Sequence, residues 1–247
     1  MHRVIYLLFL SIFISCATNG VVNADGKNVV LDSTYTGNSL DSVFAPYKES
    51  MEAEMNIVLG QASEDLTKYA PESPLGNLVT DIVFAEGLEY MSRTKALGPN
   101  LNYTMCLLNF GGLRSTVSKG NVTRGNIYSL MPFDNTIVVV ELAPTAVKEM
   151  LQYIFDAGGQ PISGSKIRMS SNEQLLFFSN ESYSFDQSIY VITSDYLAGG
   201  GDKMTFFTQA EKKYDSGILI RDAILNHVSE TKEFNYTGEL DRIQIVR

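Results

Sequence analysis

The chain reads as a mixed α/β domain, a sandwich in which helices pack on a mixed sheet. Three observations predict this. Hydrophobic residues make up 45% and aromatic residues 11% of the 247 positions, which excludes a disordered chain and supplies a sizeable core. Apolar spacing alternates along the chain between a helical and a strand-like period. Some strand-like runs are joined by hairpin-like stretches rather than helices, which points to a mixed rather than an all-parallel sheet.

Residues 40–55 have helical spacing, with Leu40, Val43, Phe44, Tyr47, Met51 and Met55 on one stripe. Residues 56–61 form a short apolar strand. Residues 74–90 form an amphipathic helix whose inward side is Leu75, Leu78, Val79, Ile82, Val83 and Leu88. Pro74 falls in its first turn, where proline costs little. Residues 103–109 and 136–142 are buried strands, and Pro144 opens a helix over 145–155. Residues 165–169 and 174–179 pair as a hairpin around Ser171-Asn172. Residues 188–194 are a strand feeding a glycine-rich turn, 216–229 a helix and 242–246 a closing strand. No repeat or linker interrupts this series, so one domain is expected over residues 38–247.

Residues 1–15 are expected to be a signal peptide. His2 and Arg3 give a weakly basic start, and residues 4–14 are almost wholly apolar. The run is shorter than the about 20 residues a membrane span needs. It closes on Phe13-Ile14-Ser15-Cys16, which resembles a bacterial lipobox with Phe13 in place of the usual leucine. Cys16 is then the lipidated N-terminus of the mature chain; an ordinary signal peptide cut nearby is the alternative. Residues 16–37 are small and polar and read as a lipidated tether. The expected location is the bacterial cell envelope, in the periplasm or on the outer membrane, held by lipid rather than by a spanning helix. Cys106, in the apolar run MCLLNF, is expected to be a buried small hydrophobe. The net charge of −9 disfavours nucleic acid as a partner.

Three segments carry chemistry. In residues 107–114, LLNFGGLR, a buried strand delivers Asn109, Gly111 and Gly112 turn the chain, and Arg114 follows. Ligands of α/β folds collect at the carboxyl ends of strands. An asparagine both donates and accepts hydrogen bonds, and an arginine grips phosphate or a hydroxyl pair in a planar fork. A tight turn with a solvated arginine is the plain alternative. In residues 196–202, YLAGGGD, Tyr196 offers a ring for stacking and Asp202 a carboxylate for two vicinal hydroxyls, across three glycines. There the plain alternative is a turn in which Asp202 caps the next segment. The third segment is residues 125–135, GNIYSLMPFDN, where Phe133 reads as packing rather than as a ligand contact.

Together these segments resemble the 5′-nucleotidase family in its C-terminal domain. Asn109 to Arg114 is similar to the motif N-G-G-x-I-R, and residues 125–135 to G-x-I-x(4)-P-F-x-N. Residues 195–202 are similar to N-D-F-L-A-x-G-G-D-G, and Glu72-Ser73-Pro74-Leu75-Gly76-Asn77-Leu78 to E-S-x-L-G-N-L. The resemblance implies that this domain binds the nucleoside part of a nucleotide. It places Tyr196 on the base, Asp202 on the ribose hydroxyls, and Asn109, Gly111, Gly112 and Arg114 in the substrate-binding set, with Arg114 towards ribose and phosphate. The resemblance also places the second aromatic of the base clamp near residues 159–162, where the chain carries Gln160. Lys68 and Tyr69 stand where the family often has an arginine, and Lys203 replaces its final glycine.

Family members hydrolyse phosphate esters with two metal ions held by a separate N-terminal domain, through motifs such as D-x-H, G-N-H-D/E and G-H-x-H. None of these motifs occurs here, and the histidines are His2, in the leader, and His227, expected to be structural. The expectation is therefore no catalytic residue, no metal and no cofactor in this chain, with divalent metals on a partner metallophosphoesterase. On that reading the chain is the recognition subunit of a split 5′-nucleotidase. The alternative is a non-catalytic lipoprotein that binds nucleosides or nucleotides.

Overall fold

The computed structural model describes residues 38–94 and 102–246, with side chains from Val43 onward. The expected signal peptide, Cys16 and the tether lie outside the described residues. Up to Ala45 the description covers only the start of helix α1 (Asn38–Met55), and the residues from Pro46 onward form one compact unit. The α1 stripe is open: Val43, Phe44, Tyr47 and Met51 are all exposed.

The compact unit is a mixed α/β fold with three sheets among the described residues. The largest has the order β10-β4-β9-β2-β5, made of β2 (Thr104–Leu107), β4 (Thr136–Leu142), β5 (Ile162–Ser163), β9 (Ile189–Ser194) and β10 (Lys212–Leu219). β2 and β9 run parallel, with Thr104 opposite Tyr190 and Cys106 opposite Ile192. The other pairings in this sheet are antiparallel. Every residue of β2 and β9 is buried, as expected for apolar strands covered on both faces. A second sheet, of order β11-β6-β7-β8, joins β6 (Lys166–Ser170), β7 (Gln174–Phe178), β8 (Glu181–Ser182) and β11 (Ile243–Val246). The small third sheet pairs β1 (Val58–Ala62) with β3 (Gly120–Thr123).

Helix α2 (Pro74–Arg93) lies across β5, β2, β9 and β4. Its start is strongly specified. Ser73 caps it by accepting the Gly76 N–H at 3.1 Å, and Pro74 takes the first position, where no N–H is needed. The Glu72 carboxylate is buried, which is costly without partners. It receives the Asn77 side-chain amide at 2.6 Å and the backbone N–H groups of Arg242 and Ile243 at 2.9 and 3.1 Å. The helix start is thereby fastened to β11. Helix α3 (Arg124–Leu130) is capped by Thr123, whose side chain accepts the Asn126 N–H while Asn126 returns the bond. Helix α4 (Pro144–Ala157) packs on β4, and helix α6 (Ile220–Thr231) packs on α2 and β1.

The predicted strands and helices are present, apart from boundary shifts of a few residues. Two regions differ. β3 and α3 fill a stretch for which no element was expected, because both are short and only partly buried. The helix expected over 216–229 begins at Ile220, because Lys212–Leu219 pairs with β4 as an edge strand. Its exposed lysines and Asp215 hide the strand pattern.

At Gly87 of α2 a Cβ would come within 2.6 Å of two Ile192 side-chain carbons. Gly87→Ala is expected to destabilise the fold by about 1–2 kcal/mol, overpacking outweighing the gain in helix propensity. Chemical denaturation of the two proteins measures this.

Candidate functional site

Two turns meet at the carboxyl ends of the parallel strands β2 and β9. Beyond β2 the chain reaches Asn109, which is buried, and turns through Gly111 and Gly112. The Gly112 N–H donates to the Asn109 carbonyl at 3.1 Å, and the Asn109 side chain folds back over the turn. A Cβ on Gly112 would lie 2.8 Å from Asn109 Oδ1, and one on Gly111 3.1 Å from both Asn109 Nδ2 and Asp202 Oδ2. The two glycines therefore make room for the asparagine and the carboxylate. Behind the turn, the Lys68 ammonium donates to the carbonyls of Phe110 and Leu113. Gln160 accepts the Phe110 N–H at 3.0 Å, so it supports this loop and adds no wall to the cleft.

Beyond β9, Ser194 caps the short helix α5 (Asp195–Ala198) by accepting the Leu197 N–H. Asp195 Oδ1 accepts the N–H of Tyr196 at 2.7 Å and that of Thr136 at 3.2 Å, tying the Tyr196 turn to the first residue of β4. Gly200 has φ +90°, which favours glycine. A Cβ on Gly201 would come within 2.5 Å of the Tyr196 ring, so the third glycine is a close approach of backbone to ring. Asp202 has φ +49° and is held there on several sides. The Tyr196 hydroxyl donates to its Oδ1 at 2.9 Å and accepts its N–H at 3.2 Å. The Asn109 amide donates to its Oδ2. The Tyr153 hydroxyl donates to its carbonyl at 2.8 Å. Burial first, then the Asp202 charge, pushes the Tyr153 phenol above its usual range, so it stays a proton donor.

The six residues Asn109, Gly111, Gly112, Arg114, Tyr196 and Asp202 line one cleft of about 290 Å³. Two further residues line it, Phe133 and Asn135. The packing role expected of Phe133 is corrected here: its side chain is exposed in the cleft, and the Arg114 guanidinium lies 5.9 Å from its ring centre. The second aromatic of the cleft is thus Phe133, from the P-F of the third motif, and not a residue near 160. Arg221 of α6, almost buried, grips this segment from behind through the Phe133 carbonyl and the Asp134 carboxylate. A strand-proximal Pro-Phe pair carries no sign of whether the ring is covered, which is why sequence reading passed it over.

His227 is half-buried on α6, away from the cleft lining; burial lowers its pKa, and Glu230 opposes that shift. Cys106 is fully buried in β2. Burial raises its thiol well above the usual range, Asp81 adds to the rise, and Arg242 opposes it. Among the described residues no three or more of His, Cys, Asp and Glu are grouped to hold a metal ion.

The model of the family described as 5′-nucleotidase, C-terminal domain, matches residues 58–189, more than half of the chain. The chain belongs to this family. It is 26% identical over 183 residues to the trifunctional nucleotide phosphoesterase protein YfkN of Bacillus subtilis, covering 65% of this chain and 11% of that protein. It is 24% identical over 192 residues to the human 5′-nucleotidase, covering 65% of this chain and 31% of that one. The fold matches the crystal structure of the 5′-nucleotidase precursor of Thermus thermophilus with a TM-score of 0.68 at 23% identity, over 85% of this chain and 43% of that one. The chain spans less than half the length of these relatives.

Gly201→Ala is expected to displace the Tyr196 ring and shift the NMR resonances of Tyr196 and Asp202. Cys106 is expected to resist an aromatic disulfide reagent at neutral pH until the protein unfolds, because the thiolate is the reactive form; a native thiol titration reads this directly.

Proposed function

We propose that the cleft binds a nucleoside or nucleotide, and that this domain is the recognition part of a split 5′-nucleotidase. The observation that supports it most is the meeting of two aromatic rings, a carboxylate and an arginine in one cleft, within a member of this family. Tyr196 and Phe133 offer faces for a base; stacking of this kind contributes about 1–3 kcal/mol per base in single-stranded nucleic-acid complexes. Asp202 accepts hydrogen bonds from ribose hydroxyls. Asn109 orients that carboxylate, and Gly111 and Gly112 keep the approach open. Arg114 contributes a charged planar fork for phosphate.

The hydrolytic step belongs, on this reading, to a separate metallophosphoesterase that holds divalent metals. Cys16 would carry lipid and keep the pair in the cell envelope. Among the described residues no helix is long and apolar enough to cross a membrane. The alternative, a binding lipoprotein without turnover, differs in one measurable respect. A split enzyme gains nucleotidase activity beyond the sum of its parts when the two chains are mixed, and a binding protein does not.

Calorimetric titration with AMP and adenosine is expected to give heats of binding. Tyr196→Ala and Asp202→Ala should each lower affinity for both ligands by about tenfold or more. Arg114→Ala should weaken AMP more than adenosine, by about tenfold, because the interaction lost is the phosphate's. A wild-type chain that gives no heat with either ligand refutes the reading.

A further inference from the structure

The phenol oxygen of Tyr196 has no part in stacking, yet it is hydrogen-bonded twice. The family motif that residues 195–202 resemble has phenylalanine at this place, so a ring alone suffices for a wall. Here the hydroxyl makes two bonds to one residue, donating to Asp202 Oδ1 at 2.9 Å and accepting the Asp202 N–H at 3.2 Å. We infer that the Tyr196 hydroxyl is a positioning group: it holds Asp202 in its left-handed conformation and, together with Asn109, shapes the carboxylate to receive two neighbouring hydroxyls rather than one.

An ionised carboxylate has about four acceptor positions on its two oxygens. Tyr196 occupies one on Oδ1, and the Asn109 amide occupies one on Oδ2. One position is left on each oxygen. A vicinal diol donates one hydrogen bond to each and satisfies both. A ligand with a single hydroxyl leaves one acceptor without a partner once water is expelled, which costs affinity. The backbone adds to this: φ of +49° is uncommon outside glycine, even for aspartate, which tolerates it better than most residues, and both bonds to Tyr196 and the bond from Tyr153 oppose relaxation. Ring and carboxylate thus form one rigid unit, with the ring packed on Gly201 and the hydroxyl latched to Asp202. Selectivity for a diol rests on the nucleoside reading above; the latch does not.

Tyr196→Phe tests both, since it keeps the ring and removes the oxygen. Without ligand, amide hydrogen exchange at Asp202 is expected to quicken by about tenfold, the equivalent of one hydrogen bond. Unchanged exchange overturns the positioning role. With ligand, wild-type protein is expected to prefer adenosine to 2′-deoxyadenosine by about tenfold or more. The substitution should shrink that ratio several-fold, costing adenosine more affinity than 2′-deoxyadenosine. Equal losses for both nucleosides overturn the selectivity, because the hydroxyl would then act on the ring alone. Wild-type protein that binds neither nucleoside refutes the proposed function and the selectivity together, while the exchange result still decides the latch.

Discussion

Parallel pairing of β2 with β9 is the constraint from which the rest of the site follows. Parallel neighbours end on the same edge of a sheet, so the turns that leave them emerge side by side. Asn109 and Asp202, separated by 93 positions in the chain, become hydrogen-bonding partners for that reason. The pairing is protected from several directions. Both strands are buried throughout, the Thr193 hydroxyl donates to the Leu107 carbonyl at 2.8 Å, and α2 lies over them with Gly87 pressed on Ile192. Glu72 anchors the start of α2 to the last strand, with one hydrogen bond from Asn77 of the helix and two from the backbone of Arg242 and Ile243. A site made of loops is therefore held by elements that do not yield.

The support behind the cleft is polar and specific. Lys68 holds the glycine turn by its carbonyls, Gln160 by an N–H, and Asp195 joins the Tyr196 turn to the strand that follows Phe133 and Asn135. Arg221 holds the Phe133 segment through charge and a backbone carbonyl. Two positions that looked like losses in the sequence, Lys68 and Gln160, serve as braces in the structure. They grip the backbone of the turn, which no motif at the level of side-chain identity reveals.

Where burial was complete, the sequence was legible. β2, β4, β9 and the core of α2 are uninterrupted or strongly periodic apolar runs, and these fix the sheet that positions the turns. Legibility failed where burial was partial. Lys212–Leu219 mixes lysines, an aspartate and a glycine with its apolar residues, because its outer side faces water, and its second half reads as the first turn of a helix. The α1 stripe has faultless helical spacing, and the helix is there, but spacing says nothing of whether a stripe is covered. Phe133 is the same failure in reverse: an aromatic residue beside a proline gives no sign that it stands open in a cleft. The six residues singled out from glycine turns and flanking polar groups do line one cleft, since such turns have few reasons to exist away from close approach.

The two halves of the cleft touch through side chains, Asn109 from one turn and Asp202 from the other. Such a junction is a seam, stitched once. A molecule lying across it adds further stitches that the unfolded chain lacks, so occupancy and resistance to heat are thermodynamically linked. The melting curve of this domain becomes a gauge of what it holds: a library of metabolites screened by thermal shift would rank its ligands without any knowledge of turnover.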